Sequence, residues 1–306
     1  MRVGVIGVGS LGQHHARILA GIEGAVLAAV VDRDPDRAGS VAARHGVTAL
    51  TDLGDLPPDL DAVTVAVPTV DHAAVVARCL DRGLAVLVEK PMAATLAEAR
   101  AMADQASRAG RLLLVGHTER FNPAVQAALP VLKTPRFIEV HRLSGFPERS
   151  LDIDVVFDVM IHDLDVLLTV ERTEVVSVDA IGVPVLTPKV DIANVRLKFA
   201  SGCIANVTAS RISKDAVRKV RFFQPDMYVS VDYAAQELEV WRLTPQPGGR
   251  PRIEGGPVPV EQDEPLRREL ADFVSAIQMK RPPLVTGADG RRALALATRV
   301  AEAMGQ

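Results

Sequence analysis

Asp158 and His162 stand four residues apart in the stretch Asp154-Val-Val-Phe-Asp158-Val-Met-Ile-His162-Asp163-Leu-Asp165. Val155, Val159, Ile161, Val166 and Leu167 fall at roughly helical spacing there, so the stretch reads as a helix. On a helix, that spacing puts the carboxylate and the imidazole on one face, one turn apart. A carboxylate under an imidazole orients the ring and stabilises its charged form, which suits a histidine that gives and takes protons. The same pair also serves as an ordinary ion pair on a solvated face. Asp163 and Asp165 lie about 100° and 300° round the helix from His162. Asp163 reads as structural, Asp165 as a packing or substrate contact. A second proton-transfer candidate, Lys90, sits in Glu89-Lys90-Pro91 just after the apolar run 84–88.

The elements around these residues point to a nucleotide site. Residues 2–6 form a short apolar run that ends in Gly7-Val8-Gly9-Ser10-Leu11-Gly12, and a helical pattern follows. Strand, tight turn and helix are the context in which such a glycine pattern cradles a pyrophosphate, with the unpaired N–H groups of the helix facing it. A second strand, 25–31, ends at Asp32, where an acid holds the adenosine ribose hydroxyls and favours NAD over NADP; the adjacent Arg33 weakens that preference. Candidate cofactor contacts are Gly7, Gly9, Ser10, Leu11, Gly12, Asp32, Arg33, Pro68, Thr69, His72, Glu89 and Lys90. His14 and His15 read as ordinary helix residues. Further strands at 61–67, 84–88 and 112–115 alternate with helices at 71–82 and 95–109, so a doubly wound parallel sheet is predicted over residues 1–120.

Beyond Phe121-Asn122-Pro123 the pattern changes, and 121–306 reads as one substrate-binding and oligomerisation domain. Strands are predicted at 136–141, 175–181, 191–199, 203–211, 219–224, 227–232 and 238–243, with helices at 266–279 and 290–304. Ala193, Val195, Leu197 and Phe199 alternate with Asn194, Arg196 and Lys198, as in an antiparallel sheet with one polar face. Arg142 and Arg149 bound a predicted loop where they are able to meet an anionic substrate. The Pro- and Gly-rich stretch 245–265 reads as a mobile excursion.

Composition narrows the partners. A chain of 306 residues is long enough for two cores, and a net charge of -3 offers no basic excess for nucleic acid. Cys79 and Cys203 read as free thiols in a reducing compartment. No apolar run approaches a membrane span, and the chain starts directly in a strand, so no targeting segment is expected and the cytoplasm is the predicted location. No metal site is predicted, because no second histidine stands at ligand spacing from His162.

The glycine loop, Glu89-Lys90-Pro91 and Asp158-x-x-x-His162, in that order, resemble the glucose–fructose oxidoreductase / inositol dehydrogenase / MocA (Gfo/Idh/MocA) family of NAD(P)-dependent sugar and polyol oxidoreductases. More finely, Gly116-His-Thr-Glu-Arg120-Phe-Asn122-Pro, Arg149-Ser-Leu-Asp-Ile-Asp154 and Ile161-His162-Asp163-Leu-Asp165 resemble its UDP-N-acetylglucosamine 3-dehydrogenase branch, whose members oxidise a sugar 3-hydroxyl to a ketone. The resemblance implies that Lys90, Asp158 and His162 form the catalytic group. It implies NAD as cofactor, a sugar or nucleotide-sugar substrate touched by Lys90, Arg120, Asn122, Arg149, His162 and Asp165, and a homodimer or homotetramer built through a large open carboxy-terminal sheet. Which of His162 and Lys90 is the base stays open. Free-sugar or inositol oxidation is the alternative within the family. A non-catalytic dinucleotide-sensing regulator is the alternative outside it, though such proteins tend to lose the lysine and histidine that this chain keeps.

Overall fold

Short runs of valine and leucine buried on both faces need a helical layer on each side, and the amino-terminal half supplies it. The structure is a computed structural model that describes residues 1–146, 153–246 and 250–305. Its first elements are β1 (Arg2–Ile6), α1 (Gly12–Leu19), β2 (Val26–Val31), α2 (Pro35–His45), β3 (Thr48–Leu50), β4 (Ala62–Val65), α3 (His72–Asp81), β5 (Ala85–Glu89), α4 (Leu96–Ala109) and β6 (Leu113–Gly116). The six strands are parallel in the order β3-β2-β1-β4-β5-β6. The order turns outward from β1 and β4, so ligands belong beyond the carboxyl ends of these strands. The sequence reading missed β3, three residues of mostly exposed edge. Asp34 caps α2 through the Asp36 and Arg37 N–H groups, and Thr95 and Glu98 form a capping box on α4. At the start of α1 no side chain caps the helix; the Gln13 and His14 N–H groups donate to the Gly9 and Leu11 carbonyls, at 3.2 and 2.9 Å.

The second half begins with α5 (Pro123–Ala128) and β7 (Phe137–Leu143). A π-helical turn, Val156–Met160, leads into α6 (Ile161–Val170). The strands β8 (Val175–Val183), β9 (Ile192–Phe199), β10 (Ile204–Ser210), β11 (Val217–Gln224), β12 (Met227–Asp232), β13 (Glu237–Thr244) and β14 (Arg252–Val258) follow, then α7 (Pro265–Gln278) and α8 (Gly287–Ala303). The second sheet runs β14-β13-β12-β11-β7-β10-β9-β8 and is antiparallel except where β7 meets β10. The alternation predicted on β9 holds: Ala193, Val195, Leu197 and Phe199 are buried, with Asn194, Arg196 and Lys198 exposed. Their core is closed by Val155, Met160, Leu164 and Leu167 from the π turn and α6, and by Ala297 and Val300 of α8. The other face carries an aromatic ladder, with ring centroids of Phe137 and Phe223 5.5 Å apart and of Phe223 and Tyr228 5.3 Å apart.

Two expectations need correcting here. The supposed excursion 245–265 contains β14, an edge strand in register with β13 from Leu238–Val258 to Thr244–Arg252. Its Pro257 and paired glycines disguised it, since an edge strand tolerates both. The helix between Pro and Gln, α7, also departs from the linear division at residue 120. The chain packs as two compact units, Met1–His117 with Leu266–Arg291, and Thr118–Pro265 with Arg292–Gln306. Leu270, Phe273 and Val274 of α7 belong to the core of the first unit, which periodicity alone does not reveal.

Candidate active site

In the first unit, the glycine turn is built for close approach. Gly7 has φ of 81°, and a Cβ on Gly12 would stand 1.8 Å from the Gly7 carbonyl oxygen, so both positions exclude other residues. Asp32, buried at the end of β2, accepts the Val8 N–H through Oδ2 at 2.9 Å and the Asp34 N–H through Oδ1 at 3.0 Å. These bonds fix the acid against the glycine loop, where a ribose diol would meet it. Arg33, suspected of weakening the NAD preference, turns to Asp71 at 3.2 Å. Arg37, which sequence reasoning did not single out, reaches Asp32 instead, at 3.3 Å from the first turn of α2. A cavity beside the loop is lined by Gly9, Ser10, Gln13, Arg37, Ser40 and Arg44. Leu11 precedes the first turn of α1.

At the other end of the sheet, β5 delivers Glu89 and then Lys90, which is partly exposed. Glu89 is buried; its Oε1 lies 3.0 Å from His15 Nε2, and its Oε2 accepts the Lys90 N–H at 3.2 Å. Burial alone would raise the Glu89 pKa, but the hydrogen bond from His15 and the charges of His15 and Lys90 outweigh it and hold the carboxyl below its ordinary range. Pro68 and Thr69 enter α3 through a single 3-10 turn. His72, expected at the cofactor, is buried at the start of α3, with Nδ1 and Nε2 each 2.9 Å from a backbone oxygen, of Pro91 and of Val67 respectively. It braces the chain after β5 to the chain after β4. Burial lowers its pKa, so the ring is neutral at pH 7 and donates to one of the two carbonyls.

In the second unit, Asp158 lies in the π turn and His162 in the first turn of α6, both partly exposed. An unbroken α-helix was predicted. The extra residue in the π turn leaves no mark on apolar periodicity, though a spacing of four still comes close to one full turn. Around His162 the structure seats the helix on buried charge. Asp163 takes Arg142 Nε at 2.6 Å and Nη2 at 2.9 Å, while Arg142 Nη1 reaches Glu119 at 2.8 Å. The Arg142 guanidinium also lies 4.9 Å above the Tyr233 ring. Burial opposes the charge on Arg142, yet the Asp163 and Glu119 carboxylates outweigh it and raise its pKa; burial in turn lifts Asp163 above the usual carboxylate value.

Several expected substrate contacts have protein partners. Arg142 is no loop residue: it belongs to β7 and is buried in the cluster just described. Arg120 and Asp165, both buried, pair with each other at 3.3 Å. Asn122 is almost wholly buried; its amide oxygen caps α5 at Ala124, and its nitrogen donates to the Tyr233 carbonyl at 2.9 Å. Arg149 lies outside the described residues. Sequence reasoning passed over His15, Glu119 and Tyr233, and gave Arg142 the wrong setting. For Arg142 a signal existed, because it shares strand parity with the buried Ile138 and Val140.

A glycine turn, a buried acid bonded to it and a first helix without a side-chain cap on a 3-2-1-4-5-6 parallel sheet define a dinucleotide-binding Rossmann unit, and NAD fits the residues present. Comparison with known proteins agrees. Residues 1–117 match the family model described as an oxidoreductase family with an NAD-binding Rossmann fold. The chain is 38% identical to the UDP-N-acetylglucosamine 3-dehydrogenase of Acidithiobacillus ferrooxidans, over 98% of this chain and 96% of that one. A solved structure of that enzyme matches with a TM-score of 0.93, over 99% of this chain and 97% of the other. The myo-inositol 2-dehydrogenase of Thermotoga maritima is 27% identical over 97% and 94% of the two chains. The chain belongs to the Gfo/Idh/MocA family of oxidoreductases, as a dehydrogenase that uses NAD. Among the described residues no cluster of His, Cys, Asp and Glu is placed to hold a metal, and no helix is long and apolar enough to cross a membrane.

Proposed function

We propose that the chain oxidises the 3-hydroxyl of a UDP-N-acetyl-hexosamine, with NAD taking up the hydride. The observation that carries this reading is the 38% identity, over 98% of the chain, to a UDP-N-acetylglucosamine 3-dehydrogenase. NAD, when bound, supplies the redox chemistry; the protein supplies position and proton traffic. The Gly7–Gly12 loop and the start of α1 hold the pyrophosphate, and Asp32 the adenosine ribose. His162, oriented by Asp158, accepts the hydroxyl proton, while Lys90 polarises the hydroxyl oxygen and is the alternative acceptor. Arg120, Asn122 and Asp165 act by shaping the wall that carries His162, a role their buried bonds support. Arg149 stays an anion contact on motif similarity.

In this reading the first unit binds the cofactor, and the second binds substrate and assembles the protein as a cytoplasmic homodimer or homotetramer. The aromatic ladder on the face opposite the buried core, continued by the partly exposed Trp241 on β13, supports that assembly surface. A cyclitol or free sugar is the second reading, favoured by the full-length likeness to a myo-inositol 2-dehydrogenase.

The test is NADH formation, followed by absorbance, with UDP-N-acetylglucosamine against a panel of free sugars and inositols. Turnover with the nucleotide sugar is expected. Turnover with inositols or free sugars alone refutes the nucleotide-sugar reading, and tight NAD binding without any turnover favours a regulator. His162→Ala is expected to lose about 10²- to 10⁴-fold in kcat while keeping its NAD affinity; near-normal turnover would remove His162 from the mechanism.

A further inference from the structure

Beneath the glycine loop lies an imidazole that the mechanism above leaves unused. His15, on α1, has no exposed surface, and its Nε2 is 3.0 Å from Glu89 Oε1 on β5. The other Glu89 oxygen holds the backbone N–H of Lys90 at 3.2 Å. From β6, Gly116 leaves the carboxylate its room, since a Cβ there would stand 2.8 Å from Oε1 and 2.9 Å from Oε2. Elements from three places in the chain thus converge on one carboxylate, and the next residue is Lys90.

The charge state fixes the direction of these bonds. Glu89 is held ionised at neutral pH, so it accepts and His15 Nε2 donates. A buried carboxylate with a missing donor either takes up a proton or rotates to find another partner. Rotation would release the Lys90 N–H, because the two oxygens of one carboxylate turn together. The backbone at Lys90 lies just past the last residue of β5, so the Glu89 carboxylate holds it where the ladder no longer does.

We propose that His15 is a positioning residue for Lys90: by fixing the Glu89 carboxylate it sets the main chain at Lys90 and the aim of the ammonium on the substrate hydroxyl. The proposal rests on the role given to Lys90 above. A ring that merely packs α1 onto the sheet would matter for stability and for the glycine loop, and not for the lysine.

The test uses the full-length protein and the substrate that gives NADH in the panel above. His15→Leu removes the donor, His15→Gln keeps an N–H at similar reach, and Glu89→Gln removes the charge. Each is measured alone and with Lys90→Met, for kcat and for NAD affinity by fluorescence titration. His15→Leu is expected to lower kcat about 10- to 100-fold with NAD affinity held within about threefold, as a small misplacement of a reacting group does. His15→Gln should restore most of that loss. Added to Lys90→Met, His15→Leu should cost less than about threefold, because what it positions is already gone.

If His15→Leu does not fold, Glu89→Gln carries the same expected loss of kcat and the same dependence on Lys90. Full turnover in both variants overturns the proposal. So does an equal loss with and without Lys90, or a parallel loss of NAD affinity that His15→Gln fails to rescue. Near-normal turnover in Lys90→Met removes the catalytic reading of Lys90 itself. Lys90→Met inactive beside fully active His15→Leu and Glu89→Gln removes the positioning role alone.

Discussion

Replacing Arg142 with methionine takes one guanidinium from between two carboxylates. Three charge-assisted bonds go with it, at 2.6 and 2.9 Å to Asp163 and 2.8 Å to Glu119. Asp163 is fully buried and finds no water in exchange, while the Glu119 side chain is 14% exposed. Breaking a buried pair by removing one partner costs about 3–5 kcal/mol. For a unit of this size, each kcal/mol lowers the melting temperature by roughly 2–4 °C, which gives about 6–20 °C. Asp163→Asn is milder, at about 1–3 kcal/mol, because Glu119 still balances the guanidinium.

The pH dependence has a definite sign. Burial already lifts the Asp163 pKa, and Arg142 is its main counterweight; without the guanidinium, burial and the Glu119 charge prevail, so the folded value rises further. Between the ordinary carboxylate value and the raised one, the folded state binds more protons than the unfolded state, and stability falls as pH rises. The deficit of Arg142→Met should therefore be smaller at pH 5 than at pH 8. Thermal melts of the wild type and both variants at the two pH values, with circular dichroism to check folding, measure this. A melting temperature for Arg142→Met within about 2 °C of wild type at pH 8 would refute the reasoning. So would a deficit that grows as the pH falls.

Gly9→Ala separates cofactor binding from folding. A Cβ there meets nothing nearer than Arg37 Nη1 at 4.0 Å, so the free protein should melt as before, while the methyl obstructs the pyrophosphate and NAD affinity falls more than about tenfold by fluorescence titration. Asp191→Asn tests the acid limb. Burial opposes the Asp191 charge, but N–H groups of Thr187, Leu186 and Val185 and the Thr187 hydroxyl outweigh it and depress the pKa. A depressed pKa gives stability that is present above the ordinary carboxylate value and lost as pH falls towards the folded one. Asp191→Asn also strips the anion from buried Arg211, whose Nε is 2.9 Å away, so a loss of about 3–5 kcal/mol is expected at pH 7. The stability gap between wild type and variant should hold from pH 7 to about pH 5 and narrow only below the ordinary carboxylate value; a gap that stays constant down to about pH 3 would contradict this.

Local signals carried the first unit well. The Gly7–Gly12 turn, the acid Asp32 just past β2 and the Val- and Leu-rich strands each depend on neighbours within a few residues, and they lie where their patterns predict. The alternation of β9 was equally legible, because one buried face leaves a period of two. What the sequence hid were long-range partnerships. His15 looks like any helix residue until Glu89, 74 positions away, is brought beside it. Arg142 stands before Leu-Ser-Gly, which suggests a loop, and its partner Asp163 comes 21 residues later. β14 contains the glycines and proline that mark turns elsewhere, and only its pairing with β13 makes it a strand.

Both proposed proton-handling residues have a buried carboxylate as their immediate neighbour in the chain: Glu89 precedes Lys90, and Asp163 follows His162. Each carboxylate is held by a cationic or imidazole side chain from another element, His15 from α1 in one case and Arg142 from β7 in the other. Such pairs are a poor route to stability, since apolar residues of similar volume do as well or better. Their value is directional. A hydrogen-bonded carboxylate tolerates only a narrow range of positions, whereas an apolar side chain slides. Because the neighbour shares the peptide link, that narrow range passes directly to Lys90 or His162. Stability and aim are then separable: apolar replacement of a whole pair, such as His15→Leu with Glu89→Met, should preserve melting temperature far better than kcat.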